Sequence, residues 1–115
     1  MVRKSNEQLI ESKCIRGGNG ETVMRKLLNG DEEMNSKGRM FNHMTLMPGN
    51  SIGFHTHTGD SEAFYFISGS GEYNDNGTLV TVSAGDTALC KAGEAHALVN
   101  TGDKPLEFIA LILYA

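Results

Sequence analysis

From Thr22 to the end of the chain, short segments rich in apolar and β-branched residues are separated by turn residues, and a sustained three-to-four spacing of apolar positions is missing almost everywhere. A chain patterned this way has no helical stripe to bury and must hide its apolar residues on the faces of sheets, so it is expected to be all-β. The expected strands cover residues 22–28, 39–47, 51–57, 62–68, 70–74, 78–82, 86–90, 95–100 and 106–114. Asn-Gly supplies the positive φ angles of a tight hairpin, which makes Asn76-Gly77 the clearest turn, joining Gly71–Asn74 to Thr78–Val82. Many short strands at regular spacing close into a sandwich or barrel.

The chain has 115 residues, room for one domain. The barrel is assigned residues 21–115, and residues 1–20 are expected to form an N-terminal arm or short helix, the helix or arm covering Asn6 to Lys13. Gly17-Gly18-Asn19-Gly20 has no helix after it, so it reads as a turn and not as a phosphate cradle. Asp31-Glu32-Glu33 is expected as an exposed loop. Ten Lys and Arg against fourteen Asp and Glu give a formal charge of −4, and the basic residues are scattered, so no basic stripe exists to follow a nucleic-acid backbone. No run is apolar enough for a signal peptide or a membrane span, which makes a cytoplasmic protein the expectation. Cys14 and Cys90 are too few for a disulfide scaffold or a four-cysteine zinc site, and each is expected as a buried or half-buried thiol.

The chemistry concentrates around His55-Thr56-His57. Residues two apart on a strand project from one face, so these histidines present two imidazoles to a single point. Glu62 follows a Gly59-Asp60 turn and enters from the neighbouring antiparallel strand on that same face, with Phe64 and Phe66 continuing it as apolar lining. His96 opens a short strand after the Gly93 turn. Three imidazoles and a carboxylate are a strong set for a divalent transition metal. Burying them in an apolar barrel with no metal would cost several kcal/mol of desolvation.

These residues also fall on two motifs, and through them the chain resembles the cupins, a family of small β-barrel proteins. The motif G(X)5HXH(X)3,4E(X)6G is matched by Gly49, His55, His57, Glu62 and Gly69. The motif G(X)5PXG(X)2H(X)3N is matched by Gly85, Gly93, His96 and Asn100, with Lys91 standing where the family usually has proline. That proline shapes the turn and binds no metal, so the departure removes no ligand. The resemblance implies a double-stranded β-helix, or jelly-roll, barrel in which His55, His57, Glu62 and His96 ligate manganese, iron, nickel, zinc, cobalt or copper. It further implies that barrels pair into a homodimer, with residues 1–20 available to reach the neighbour.

A divalent ion on three neutral histidines and one carboxylate keeps a net charge of about +1 and open positions for small anionic, chelating ligands such as a hydroxy acid, keto acid or enediolate. Two function classes follow. One is a metalloenzyme of isomerase, decarboxylase, lyase or dioxygenase type; the other is a non-catalytic small-molecule binding or sensor protein. No output domain accompanies the barrel in these residues, which favours the enzyme. No catalytic residue is assigned: outside the ligand set the acid–base candidates are His43, Tyr65, Tyr73, Cys90 and Glu94. Of these, His43 is expected as a hydrogen-bonded or surface residue and Cys90 as a small core residue. Phe54, Phe64, Tyr65, Phe66, Met40, Met44 and Met47 are expected mainly as core.

Overall fold

The structure, a computed structural model, describes residues 1–115. Two antiparallel sheets face each other. The larger runs β1 (Ile10–Lys13), β2 (Thr22–Lys26), β3 (Gly38–Leu46), β10 (Leu106–Tyr114), β5 (Asp60–Ser68) and β8 (Thr87–Cys90), each beside the next. The smaller runs β4 (Ser51–Thr56), β9 (Ala95–Val99), β6 (Ser70–Asp75) and β7 (Thr78–Ser83). This is the jelly-roll barrel that the strand pattern and the motifs imply. No helix is long and apolar enough to cross a membrane.

Period-two alternation decides what faces inward. Leu106, Phe108, Ala110 and Ile112 of β10 and Phe64 and Phe66 of β5 are buried, and Phe64 packs on Phe108 at 4.7 Å between ring centroids. The same alternation corrects part of the expected core. Tyr65 sits between two inward residues and is 51% exposed, Met47 lies just past the end of β3 at 46%, and Phe54 is 55% exposed. Cys90 is buried, but Cys14 is exposed, its thiol donating to the Gly18 carbonyl at 3.1 Å.

All nine expected strands are present, and two further elements appear. Residues 10–13 add β1 along β2 after a single 3-10 turn at Ser5–Glu7. The acidic run expected as a loop is one helical turn, α1 (Gly30–Glu33). Arg3 forks onto both Glu33 carboxylate oxygens at 3.0 and 2.7 Å, and Glu33 accepts the Asn29 N–H at 2.7 Å. These bonds, the Arg3 bond foremost, hold the Glu33 carboxyl down at about 2.

Two bulges break the regular register, and both serve the site. Ile52 pairs with Leu98 and His55 with His96, so β4 takes three steps where β9 takes two. This shift turns Ile52 and His55 to the same interior. Met40 pairs with Ile112 and Gly38 with Leu113, leaving Arg39 as the extra residue on β3. The β4 bulge leans on residues 15–19, which run along it: Gly53 N–H donates to the Ile15 carbonyl at 3.1 Å, and Ser51 N–H to that of Asn19 at 2.8 Å. Gly53 is needed here because a Cβ would overlap the Arg16 carbonyl.

Candidate metal centre

The barrel brings all four expected ligands together. One donor atom each from His55, His57, Glu62 and His96 lies within 4.8 Å of the others. His55 faces His96 across β4 and β9, and Glu62 enters from β5 in the opposite sheet. His57 lies just beyond β4, clamped to the turn before β9: its N–H donates to the Glu94 carbonyl at 2.9 Å, and its own carbonyl accepts from Gly93 N–H at 2.7 Å. The His57 and His96 Nε2 atoms are 3.1 Å apart, and each lies 3.1–3.2 Å from a Glu62 oxygen.

What aims the three rings is the far nitrogen of each. With Nε2 turned to the cluster, Nδ1–H of His55 donates to the Gly53 carbonyl at 2.7 Å, that of His57 to Asp60 at 2.6 Å, and that of His96 to the Tyr73 hydroxyl at 2.7 Å. Every Nε2 therefore carries a lone pair pointing at the same volume, the arrangement that outer hydrogen bonds impose on metal-binding histidines. Two bare imidazole nitrogens 3.1 Å apart repel unless a proton or a cation lies between them. With metal–nitrogen bonds of about 2.1 Å, neighbouring ligand atoms sit roughly 3.0–3.3 Å apart, so the separations among His57, His96 and Glu62 fit a metal, with the whole cluster, His55 included, lying within 4.8 Å. Electrostatics point the same way. Without an ion, protons on the His57 and His96 Nε2 atoms take its place: burial disfavours a charged Glu62, yet bonds from these protonated nitrogens hold its carboxyl below the ordinary range, the Glu62 bond in turn raises His57, and burial lowers His55.

Behind His57 stands a pair to which the sequence assigned no role in the site, Asp60 having been read as part of a turn. Asp60 is buried, and its second oxygen accepts from Arg39 Nε at 2.8 Å. The bulge at Arg39 turns this side chain toward Asp60. Burial opposes ionisation of Asp60, but the bonds from His57 and Arg39 keep its carboxyl below the usual value. The signal was present: Asp60 is two residues before Glu62 and shares its face. Asp60→Asn keeps the shape and removes the charge behind His57. Metal affinity, measured by competition with a chelating dye, is expected to fall about 10–100-fold with the fold retained; unchanged affinity would deny Asp60 this role.

The other candidates lie elsewhere. His43 is on the outer face of β3, its Nε2 3.1 Å from Glu107. Tyr65 points outward, and the Glu94 carboxylate is engaged by the Lys91 N–H at 2.8 Å. Cys90 pairs in register with Glu62, but burial pushes its thiol up to about 11, so it is a neutral core group. Tyr73 becomes the support of His96, its own ionisation pushed up by burial.

A cavity of about 220 Å³ opens onto the cluster. Buried His57 and Glu62 lie at its inner end, with Met24, Met40, Met44 and Ile112 as walls. At the exposed end stand Lys13, Arg16 and Arg39. The lining has no carboxylate or imidazole beyond those of the cluster, so the opening presents cations to whatever approaches.

Residues 42–112 match the family model Cupin_2, described as the cupin domain. The chain is a cupin. It is 44% identical over 114 residues to a Thermotoga maritima protein named oxalate-binding protein, an alignment covering 98% of this chain and 93% of that one. It is also similar to the crystal structure of a predicted oxalate decarboxylase from the same organism, with a TM-score of 0.94, 42% identity and complete coverage of both chains. An uncharacterized conserved protein with a double-stranded β-helix domain from Klebsiella pneumoniae matches with a TM-score of 0.71 and 28% identity over 87% of this chain and 83% of that one.

The structure also explains the second cupin motif. Asn100 is buried and binds no metal site: its amide donates to the Leu46 and Lys104 carbonyls, both at 2.8 Å, fastening the end of β9 to the end of β3. Lys91 at the proline position keeps the turn closed because its N–H, which proline lacks, is taken up by the Glu94 carboxylate.

Proposed function

We propose that this cupin binds oxalate or a similarly small chelating carboxylate at a divalent metal held by His55, His57, Glu62 and His96. The observation that carries this reading is a three-histidine, one-carboxylate cluster at the inner end of a cavity whose outer end is ringed by Lys13, Arg16 and Arg39. The 44% identical relative named for oxalate binding supports it. When bound, the metal supplies a Lewis-acid point for carboxylate oxygens. The protein does the rest. Gly53, Asp60 and Tyr73 keep the three imidazoles in the ligating tautomer, Glu62 offsets part of the ion's charge, and the outer cations draw in an anion. The methionine walls displace water, which strengthens each of these attractions.

The test is calorimetric titration of oxalate into manganese-loaded protein. One site per chain with a micromolar dissociation constant is expected, and His96→Ala is expected to give no heat of binding; a wild type that takes up manganese and ignores millimolar oxalate would refute the reading.

Binding is favoured over turnover because none of the acid–base candidates His43, Tyr65, Tyr73, Cys90 and Glu94 lines the cavity. The rival reading is a metalloenzyme in which the ion does most of the chemistry, and the relative described as a predicted oxalate decarboxylase keeps it in view. Formate appearing by NMR from oxalate, in proportion to enzyme and lost in His96→Ala, would establish that rival. The expected result is intact oxalate.

The homodimer that the family resemblance implies belongs to the same proposal. Tyr65, Ile67 and Leu89 lie exposed on the outer face of the larger sheet, an apolar surface that a second copy of this chain would cover. Sedimentation velocity at micromolar concentration is expected to show twice the chain mass, and a monomer would reject it.

A further inference from the structure

Beside the metal cavity lies a second hollow of about 170 Å³. Met24 and Met40 line both spaces, and so do Lys13 and Arg39, so the two are contiguous. The far wall of the second hollow includes Lys26 and Asn42, which face each other in register across β2 and β3.

Three features set this hollow apart from ordinary surface. Its charge is one-sided: Lys13, Lys26 and Arg39 line it against the single carboxylate of Glu11. Of these cations only Arg39 is held in an ion pair, with Asp60. Asn42 is 4% exposed, lines the hollow, and its carboxamide makes no hydrogen bond to another protein group. Its polar atoms are not sealed from solvent, so they are free to bond to a solute that enters the hollow.

Lys26 is two residues beyond Met24 and on the same face, about 7 Å farther along β2 than this residue that lines both spaces. A ligand that reaches from the metal cavity into the second hollow therefore needs a carbon chain between its two ends. Oxalate, with no carbon between its carboxyl groups, fills the metal end alone.

We propose that this hollow is a second anion subsite, in which Lys26, Lys13 and the Asn42 carboxamide receive the distal carboxylate of an α-oxo or α-hydroxy dicarboxylic acid whose other end chelates the metal. The inference rests on the reading of the metal cavity as a carboxylate site and extends its ligand class from oxalate to longer dicarboxylic acids.

The test titrates manganese-loaded protein with oxalate, 2-oxoglutarate and 2-oxopentanoate. The two keto acids share a chelating head and a five-carbon length, and differ in having a carboxylate or a methyl group at the far end. The wild type is expected to bind 2-oxoglutarate about tenfold more tightly than 2-oxopentanoate. Lys26→Met is expected to bring the pair to within about threefold, leaving oxalate affinity and metal content within about twofold of the wild type. Asn42→Asp, which sets a like charge beside the distal carboxylate, is expected to weaken 2-oxoglutarate selectively. Equal binding of the two keto acids by a wild type that binds oxalate would overturn the subsite alone, as would a preference that survives Lys26→Met. If none of the three acids binds, the carboxylate reading and the subsite fall together.

Discussion

Saturating manganese is expected to raise the melting temperature of this protein by roughly 10–20 °C, and Glu62→Ala to abolish the increase. Without a cation, the cluster holds His57 and His96 nitrogens 3.1 Å apart inside a buried wall, with one carboxylate to balance them. A ligand that binds only the folded form at about a thousand times its dissociation constant adds about 4 kcal/mol, and in a domain of this size each kcal/mol moves the midpoint by several degrees. Removing Glu62 takes away the only anionic ligand, so the ion no longer distinguishes folded from unfolded chain by the same margin. Differential scanning fluorimetry with metal and with excess chelator gives both numbers. A wild type whose midpoint ignores one equivalent of manganese, iron, nickel or zinc would remove the metal from the reading of this site.

The second large effect belongs to a residue with no side chain. Gly53→Ala is expected to cost about 1–3 kcal/mol and to weaken metal binding by about tenfold or more, both from one displacement. The new methyl group overlaps the Arg16 carbonyl, so either residues 15–19 leave β4 or the bulge flattens. In the first case the Gly53 N–H loses the Ile15 carbonyl. In the second, the Gly53 carbonyl swings away from His55 Nδ1, and the ring loses its aim. Urea denaturation and metal titration on the same sample separate the two costs; normal metal affinity beside normal stability would show that the packing at Gly53 has slack.

The shared face of His55, His57 and Glu62 was legible in the sequence because it depends on alternation along strands and on a turn, and both are local; His96, far along the chain, joined them through the resemblance to the second cupin motif. The Asn76-Gly77 hairpin was legible for the same reason: both residues adopt positive φ, and Asn74 accepts the Gly77 N–H at 2.7 Å. What escaped was the extra step in β4 and in β3. A bulge is set by hydrogen bonds to distant segments, here residues 15–19 and β10, and nothing in Ile52-Gly53-Phe54-His55 announces it. Strict alternation would place Ile52 and His55 on opposite faces and gives no reason for Arg39 to meet Asp60. Residues 10–13 escaped likewise: all four are exposed, so β1 is held by pairing with β2 and carries no buried stripe to betray it.

The three supports of the imidazoles differ in what heredity can do to them. Asp60 and Tyr73 are side chains, so a single base change in a codon can exchange either one and retune the nitrogen it holds. The support of His55 is a peptide carbonyl, which every amino acid carries. No substitution deletes it, and selection can reach it only by way of the bulge that points it. A lineage of such barrels is therefore free to drift in how firmly it grips His57 and His96, while the orientation of His55 is inherited with the course of the backbone itself.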